Sequence, residues 1–146
     1  MRTQADERPG PPAPHRYPEN EVFWDAANAG TLLLKYCQAC QRPHWYPRAI
    51  CPFCGSDDTV WQLSAGLGSV YSISIMRSRS APPVGLAYVA LEEGVTLFTN
   101  IVDCDLETVR IGDRVAVVFM KARDGQAIPM FTPIGRPVPP GSRVTP

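Results

Sequence analysis

The run "CQACQRPHWYPRAICPFCG", residues 37–55, constrains the fold more than any other stretch, because it carries two Cys-x-x-Cys pairs, Cys37/Cys40 and Cys51/Cys54. A reduced Cys-x-x-Cys turn puts both sulfurs on one side of a tight knuckle. Two such knuckles surround one point with four thiolates, the donor set of a tetrahedral metal with Zn–S bonds of about 2.3 Å. Pro52 and Gly55 suit a tight second turn. Structural zinc is the expected occupant, with iron in the same S₄ cage as its chemical competitor. A redox dithiol needs only one pair, and a catalytic zinc needs an open position that four thiolates do not leave. The cage therefore reads as a brace. A ribbon this short buries too little apolar surface to fold alone, and metal binding supplies on the order of 10 kcal/mol.

The N-terminus lacks the charged-then-apolar pattern of a secretory signal. Apolar runs such as Val115–Met120 are too short to span a bilayer. The cytoplasm is the expected location. With 14 Lys+Arg against 14 Asp+Glu the formal net charge is zero, so the basic surplus of a dedicated nucleic-acid binder is missing. A chain of 146 residues makes one domain, or two small ones sharing a core.

"YPENEVFWDAANAG" predicts a helix, with Pro18 and two Glu in its first turn and Gly30 as its stop. Its expected apolar stripe is Val22, Phe23, Ala26 and Ala27, with Trp24 to the side. "TLLLKY" reads as a short strand leading into Cys37. After Gly55 the texture turns to alternation and β-branched residues. Residues 59–77 predict one long strand, bent or bulged at Gly66 and Gly68. "VGLAYVALEEGVTLFTNIV" predicts a hairpin turning at Glu92-Glu93-Gly94. A connector, a Gly112-Asp113 turn and a fourth strand follow. "QAIPMFTPI" predicts a fifth strand, placed at an edge by Pro129. Five such strands suggest a small OB-type barrel, which periodicity alone does not separate from an SH3-like one. Prolines crowd both ends of the chain and predict extended tails, disordered or lying along a partner.

Self-sufficient catalytic machinery is not evident. His15 sits in the N-terminal tail, and His44, beside Trp45, reads as a surface imidazole rather than a fifth ligand or base. Cys104 lies among acids in "VDCDLE", which would raise its pKa, so a small half-buried thiol is expected rather than a nucleophile. The Gly66-Leu67-Gly68 sequence fails the dinucleotide pattern at its third glycine. The glutamates of the hairpin turn and Asp103/Asp105 read as turn and surface carboxylates. Trp45, Tyr46 and Trp61 are expected to pack between ribbon and barrel.

The order of "FW" helix, "LLLKYCQACQRPHWYPRAICPFCGS", "GLGSVYSISI", "AYVALEEGVTLFTNIV" and "IGDRVAVVF" resembles a bacterial and archaeal family. That family joins an N-terminal helical segment and a rubredoxin-like zinc ribbon to a C-terminal OB-fold. The resemblance covers about residues 17–134. It implies a mainly β chain, divided as a disordered tail (1–17), a helical segment and short strand (18–36), the zinc ribbon (37–58), the OB-fold (59–134) and a second tail (135–146). It also implies acyl-CoA chemistry. Members act as accessory subunits of complexes whose thiolase-, aldolase- or hydratase-like large subunit carries the catalytic residues. On this reading the chain has no catalytic residue of its own. It holds structural zinc on Cys37, Cys40, Cys51 and Cys54, and helps form an acyl-CoA site. Phosphate recognition favours arginine, and Arg48, Arg77 and Arg79 are the candidates for CoA contact, against the plainer role of solvated surface residues. The alternative is a nucleic-acid-binding module stacking bases on Tyr71, Tyr88 and Phe98.

Overall fold

The structure, a computed structural model, describes residues 10–135. A short helix α1 (Glu21–Asn28) precedes strands β1 (Leu33–Cys37), β2 (Arg42–His44) and β3 (Thr59–Leu63), which form an antiparallel sheet in the order β2-β1-β3. Strands β4 (Leu67–Met76), β5 (Val84–Leu91), β6 (Thr96–Ile101), β7 (Arg114–Lys121) and β8 (Ala127–Pro133) close into a barrel in the order β4-β5-β6-β8-β7. The barrel is sealed by Leu67 against Ala116 on β7, and by a parallel contact of Ile101 with Phe131 on β8. This is the order of a five-stranded OB barrel, as expected.

The stretch 59–77, expected as one strand, is two strands in different sheets. β3 pairs with β1, Leu33 opposite Leu63, while β4 enters the barrel. Between them the chain turns at Gly66, whose φ of 68° is the left-handed region; an added Cβ would lie 2.3 Å from Cγ1 of Val117. The turn is fixed by the Ala65 N–H, which donates to the Glu93 carboxylate (2.6 Å). Gly68 serves a different need: a Cβ there would meet the Ala90 carbonyl oxygen at 2.5 Å. The bulge itself falls later, at Tyr71.

The fifth strand is not at an edge. β8 pairs along its length with β7 and pairs with β6 only at Phe131. Pro129, opposite Phe119, lies before that closure point, where the N–H it lacks has no second strand to serve.

Helix α1 ends as the sequence suggests. Gly30 has φ 77°, Thr31 N–H donates to the Ala26 carbonyl (2.9 Å) and Gly30 N–H to that of Ala27 (2.9 Å), a Schellman closure. Its buried stripe differs from expectation: Phe23, Trp24 and Ala27 face inward, while Val22 is 47% exposed. The inward face is set by the T-shaped contacts of Phe23 with Trp24 and Trp45. Phe23, Leu34, Val70, Val89, Val115 and Phe131 belong to one hydrophobic cluster, with Trp45 and Trp61 packed against it. Helix, ribbon and barrel thus share a core.

Polar bonds secure both ends of the helix. At its start, the buried Asn20 donates to Tyr46 Oη (2.7 Å), and the Glu19 carboxylate accepts from Ala49 N–H (3.1 Å), tying α1 to the ribbon. At its end, Gln126 Nε2 donates to the Trp24 carbonyl and to Asn28 Oδ1 (both 3.0 Å), and Ala127 N–H also donates to Asn28 Oδ1 (2.9 Å), tying α1 to the β7–β8 turn. The disorder expected for residues 1–17 lies outside the described residues at 1–9, whereas residues 10–17 are held. Arg123 donates to the carbonyls of Pro11 and Gly10 (both 3.1 Å), and Arg16 donates to Gln126 (3.1 Å) and Asp25 (2.6 Å). The tail expected at 135–146 lies outside the described residues beyond Gly135.

Gln126→Ala removes the side-chain donor to the Trp24 carbonyl and Asn28 Oδ1, and the acceptor of Arg16 and the Asn28 amide. It is expected to cost about 1–3 kcal/mol, read as a lower urea midpoint at unchanged slope. An unaltered midpoint would mean that this clamp carries no stability.

Candidate metal centre

The four cysteines converge as their spacing predicts. All four Sγ atoms lie within 4.8 Å of one another. Cys37 and Cys54 are 3.6 Å apart, and Cys40 and Cys51 are 3.7 Å apart. A tetrahedron with Zn–S bonds of about 2.3 Å needs sulfurs separated by about 3.8 Å, so the donor set fits a metal of that size with little adjustment. No disulfide joins them.

The two knuckles are built alike. Each turns through a residue of positive φ just after its second cysteine, Gly55 (76°) in one and Gln41 (57°) in the other. Glycine at that position is legible in a sequence; glutamine is not, because a side chain rarely adopts that conformation. In the second knuckle Gly55 N–H donates to the Cys51 carbonyl (3.0 Å) and Phe53 N–H donates to the Cys51 sulfur (3.4 Å). Burial works to raise the Cys51 thiol, but the N–H groups of Cys54 and Phe53 and the neighbouring sulfurs outweigh it and bring the pKa down to about 7. Cys40 goes the other way, pushed up to about 12 by burial and by the thiols around it. A dication at the centre of such a cage favours the thiolate form of its ligands, so metal binding releases their protons. Cys37 and Cys51 are buried and Cys54 is exposed, so the cage sits at the surface of the ribbon. With all four positions taken by sulfur, its role is structural.

His44, expected at the surface, is buried at 1% exposure. It stands opposite Lys35 in the β1–β2 register. Nδ1 lies 3.3 Å from the Tyr46 carbonyl, and the buried Nε2 has no partner. Burial lowers its pKa, helped by the charges of Lys35 and Arg48 and opposed by the Tyr46 bond. The ring is therefore held neutral, donating from Nδ1. Lys35 is itself lowered by burial, against the pull of Glu19, and lies 4.4 Å over the Trp61 ring. The periodicity of a three-residue strand is too short to have revealed this inward face.

The candidate CoA arginines are spread over two units. Arg48 is exposed on the ribbon and lines a shallow cleft with Glu19, Ile50, Cys51 and Pro52. Arg77 and Arg79 are exposed on the β4–β5 loop, where Arg77 pairs with Glu107. Cys104 is half-buried and packs against the core. Glu93, read as a turn carboxylate, proves to be the acceptor that fixes the bend at Ala65. No helix among the described residues is long and apolar enough to cross a membrane.

Residues 24–60 match the family model described as the ChsH2 rubredoxin-like zinc ribbon domain, and residues 61–120 that of the ChsH2 C-terminal OB-fold domain. A probable enoyl-CoA hydratase alpha subunit of Thermomonospora curvata is 32% identical over 126 residues, 84% of this chain but 40% of that relative's length. A DUF35 domain-containing scaffold protein of Methanothermobacter thermautotrophicus is 34% identical over 94 residues, covering 60% of this chain and 71% of that one. Among solved structures, a chain of an Ltp2-ChsH2(DUF35) aldolase superposes with a TM-score of 0.72 at 30% identity, over 83% of this chain and 98% of that chain.

Two measurements check the centre. Metal analysis should find one zinc per chain, and Cys51→Ala should abolish it and melt the ribbon; a metal-free chain of full stability would refute the structural role. For His44 the folded pKa lies below the ordinary value of about 6.5, so the unfolded chain takes up the proton first. Stability should then fall as pH drops through and below about 6.5, and be fully present above it. In His44→Gln, with zinc in excess, that fall should flatten in urea titrations between pH 5 and 7.5.

Proposed function

The chain belongs to the ChsH2 (DUF35) family of zinc-ribbon and OB-fold proteins, and on that premise we propose that it is a non-catalytic subunit of an acyl-CoA-processing complex. Its partner is an aldolase-, hydratase- or thiolase-type large subunit that carries the catalytic residues. The observation that carries this reading is the likeness over nearly the whole of the DUF35 chain of an Ltp2-ChsH2(DUF35) aldolase. The relative named as a probable enoyl-CoA hydratase alpha subunit supports the same chemical setting.

In this role the zinc supplies rigidity, not chemistry. The knuckles hold Arg48 on a braced loop, and the barrel presents Arg77 and Arg79 on the β4–β5 loop. Arg48 and Arg79 offer exposed guanidinium groups to the phosphates of a CoA bound at the partner. Arg77 would have to exchange Glu107 for such a phosphate. Buried and neutral, His44 serves packing rather than proton transfer.

A tagged chain recovered from its native lysate should bring down one such enzyme in stoichiometric amount, identified by mass spectrometry, and should show no activity alone. A monodisperse chain that recovers none would remove the reading. In the complex, Arg48→Ala and Arg79→Ala should each raise the KM for acyl-CoA by about 5- to 30-fold, the loss of one charge-assisted contact. An unchanged KM would assign the CoA contacts to the partner.

A further inference from the structure

Strands β4, β5 and β6 contain no charged residue at all: their sequences are LGSVYSISIM, VGLAYVAL and TLFTNI. Their inward positions fill the barrel, as Val70, Val89 and Leu97 do. Their outward positions make a continuous sheet face. On it Tyr71 is 67% exposed, Phe98 57%, Met76 56%, Tyr88 48% and Val84 37%. The register sets these side chains beside one another. Tyr88 is opposite Phe98, with ring centroids 5.2 Å apart, and Met76 is opposite Val84. The bulge between Val70 and Ser72 swings Tyr71 outward next to Tyr88. Single exposed apolar side chains need no explanation, but a contiguous, aromatic, uncharged patch does.

Resting on the function proposed above, we infer that this outer face of β4-β5-β6 is the surface that docks the catalytic large subunit, by seating Tyr71, Tyr88 and Phe98 in an uncharged apolar recess of that protein. The face's chemistry selects this occupant. A nucleic-acid strand or the phosphates of CoA require cations, and none stands on these strands. Self-pairing would require the patch to fit itself across a two-fold axis, yet it is the outside of a closed barrel with protruding rings, and two such convex faces meet only at their crests. Protruding aromatics surrounded by small uncharged residues such as Ser72, Ser74 and Thr96 are instead what a complementary recess receives. The arginines assigned to CoA lie off this face, on the ribbon and on the β4–β5 loop, so docking and ligand contact use separate surfaces.

The test uses the full zinc-loaded chain and the enzyme recovered with it by pull-down. Tyr88→Thr/Phe98→Thr keeps strand-forming side chains and should weaken the complex by about 100-fold or more in Kd, since central aromatic contacts dominate such interfaces. Ile111→Thr, 71% exposed outside these strands, should leave the Kd unchanged. Zinc content and melting temperature establish that the variants fold; if the double variant does not, Tyr71→Ser in the bulge reads the same face. A double variant that binds within about 3-fold of the parent overturns the docking face and leaves the function proposed above standing. So does parent-chain self-association that the double variant abolishes while still binding the enzyme, or binding of single-stranded oligonucleotide that it abolishes. A parent chain that binds no such enzyme overturns both.

Discussion

Four sulfur atoms drawn within 4.8 Å of one another are the constraint on which the first half of the molecule depends. The sheet they anchor has only three short strands, and the loop between β2 and β3 leaves Ile50 and Phe53 half exposed. Cross-linking Cys37 and Cys40 to Cys51 and Cys54 converts this loop-rich segment into a rigid block. Once rigid, it presents Leu34, Trp45 and Trp61 to Phe23 and so to the barrel. The ribbon's sulfurs are placed for a metal to brace it, and the barrel completes its core.

Much of this was legible in the sequence, for reasons that differ by element. The knuckles were legible because metal geometry leaves few spacings open. The β5–β6 hairpin was legible because alternation on both sides converges on Gly94, whose φ is 93°. The barrel strands were countable but their boundaries were not. Thr59–Leu63 and Leu67–Met76 read as one strand, since the event that separates them is a long-range one: Glu93 reaching back to Ala65 and Val117 packing over Gly66. The edge position inferred from Pro129 failed because a barrel can close at one residue, Phe131, and leave a proline two positions earlier without conflict. Asn20 and Gln126 carried no local signal. Their importance lies in partners 26 and 102 residues away.

Charge is distributed by position rather than by amount. A net charge of zero conceals a strict division: Arg77, Glu107, Glu92 and Arg114 pair around the ends of the barrel, while three consecutive strands carry none. The interior is stricter still, with Lys35 and His44 side by side in one register and both biased toward their neutral forms by burial. Such a surface keeps the polar ends of the barrel solvated and leaves one flank without charge.

The clamp between α1 and the β7–β8 turn has a kinetic consequence. Arg16 to Gln126, Asn28 to Ala127 and Pro11 to Arg123 join residues from the start of the described chain to residues near its end. Contacts of such long sequence separation close the largest loops and form late. The helix can therefore dock fully only after β7 and β8 have paired, however early the metal organises the ribbon. During synthesis the ribbon and α1 would emerge first and wait, with the Trp24 carbonyl and the Asn28 side chain lacking Gln126 and Ala127, for the last strand of the barrel to be made.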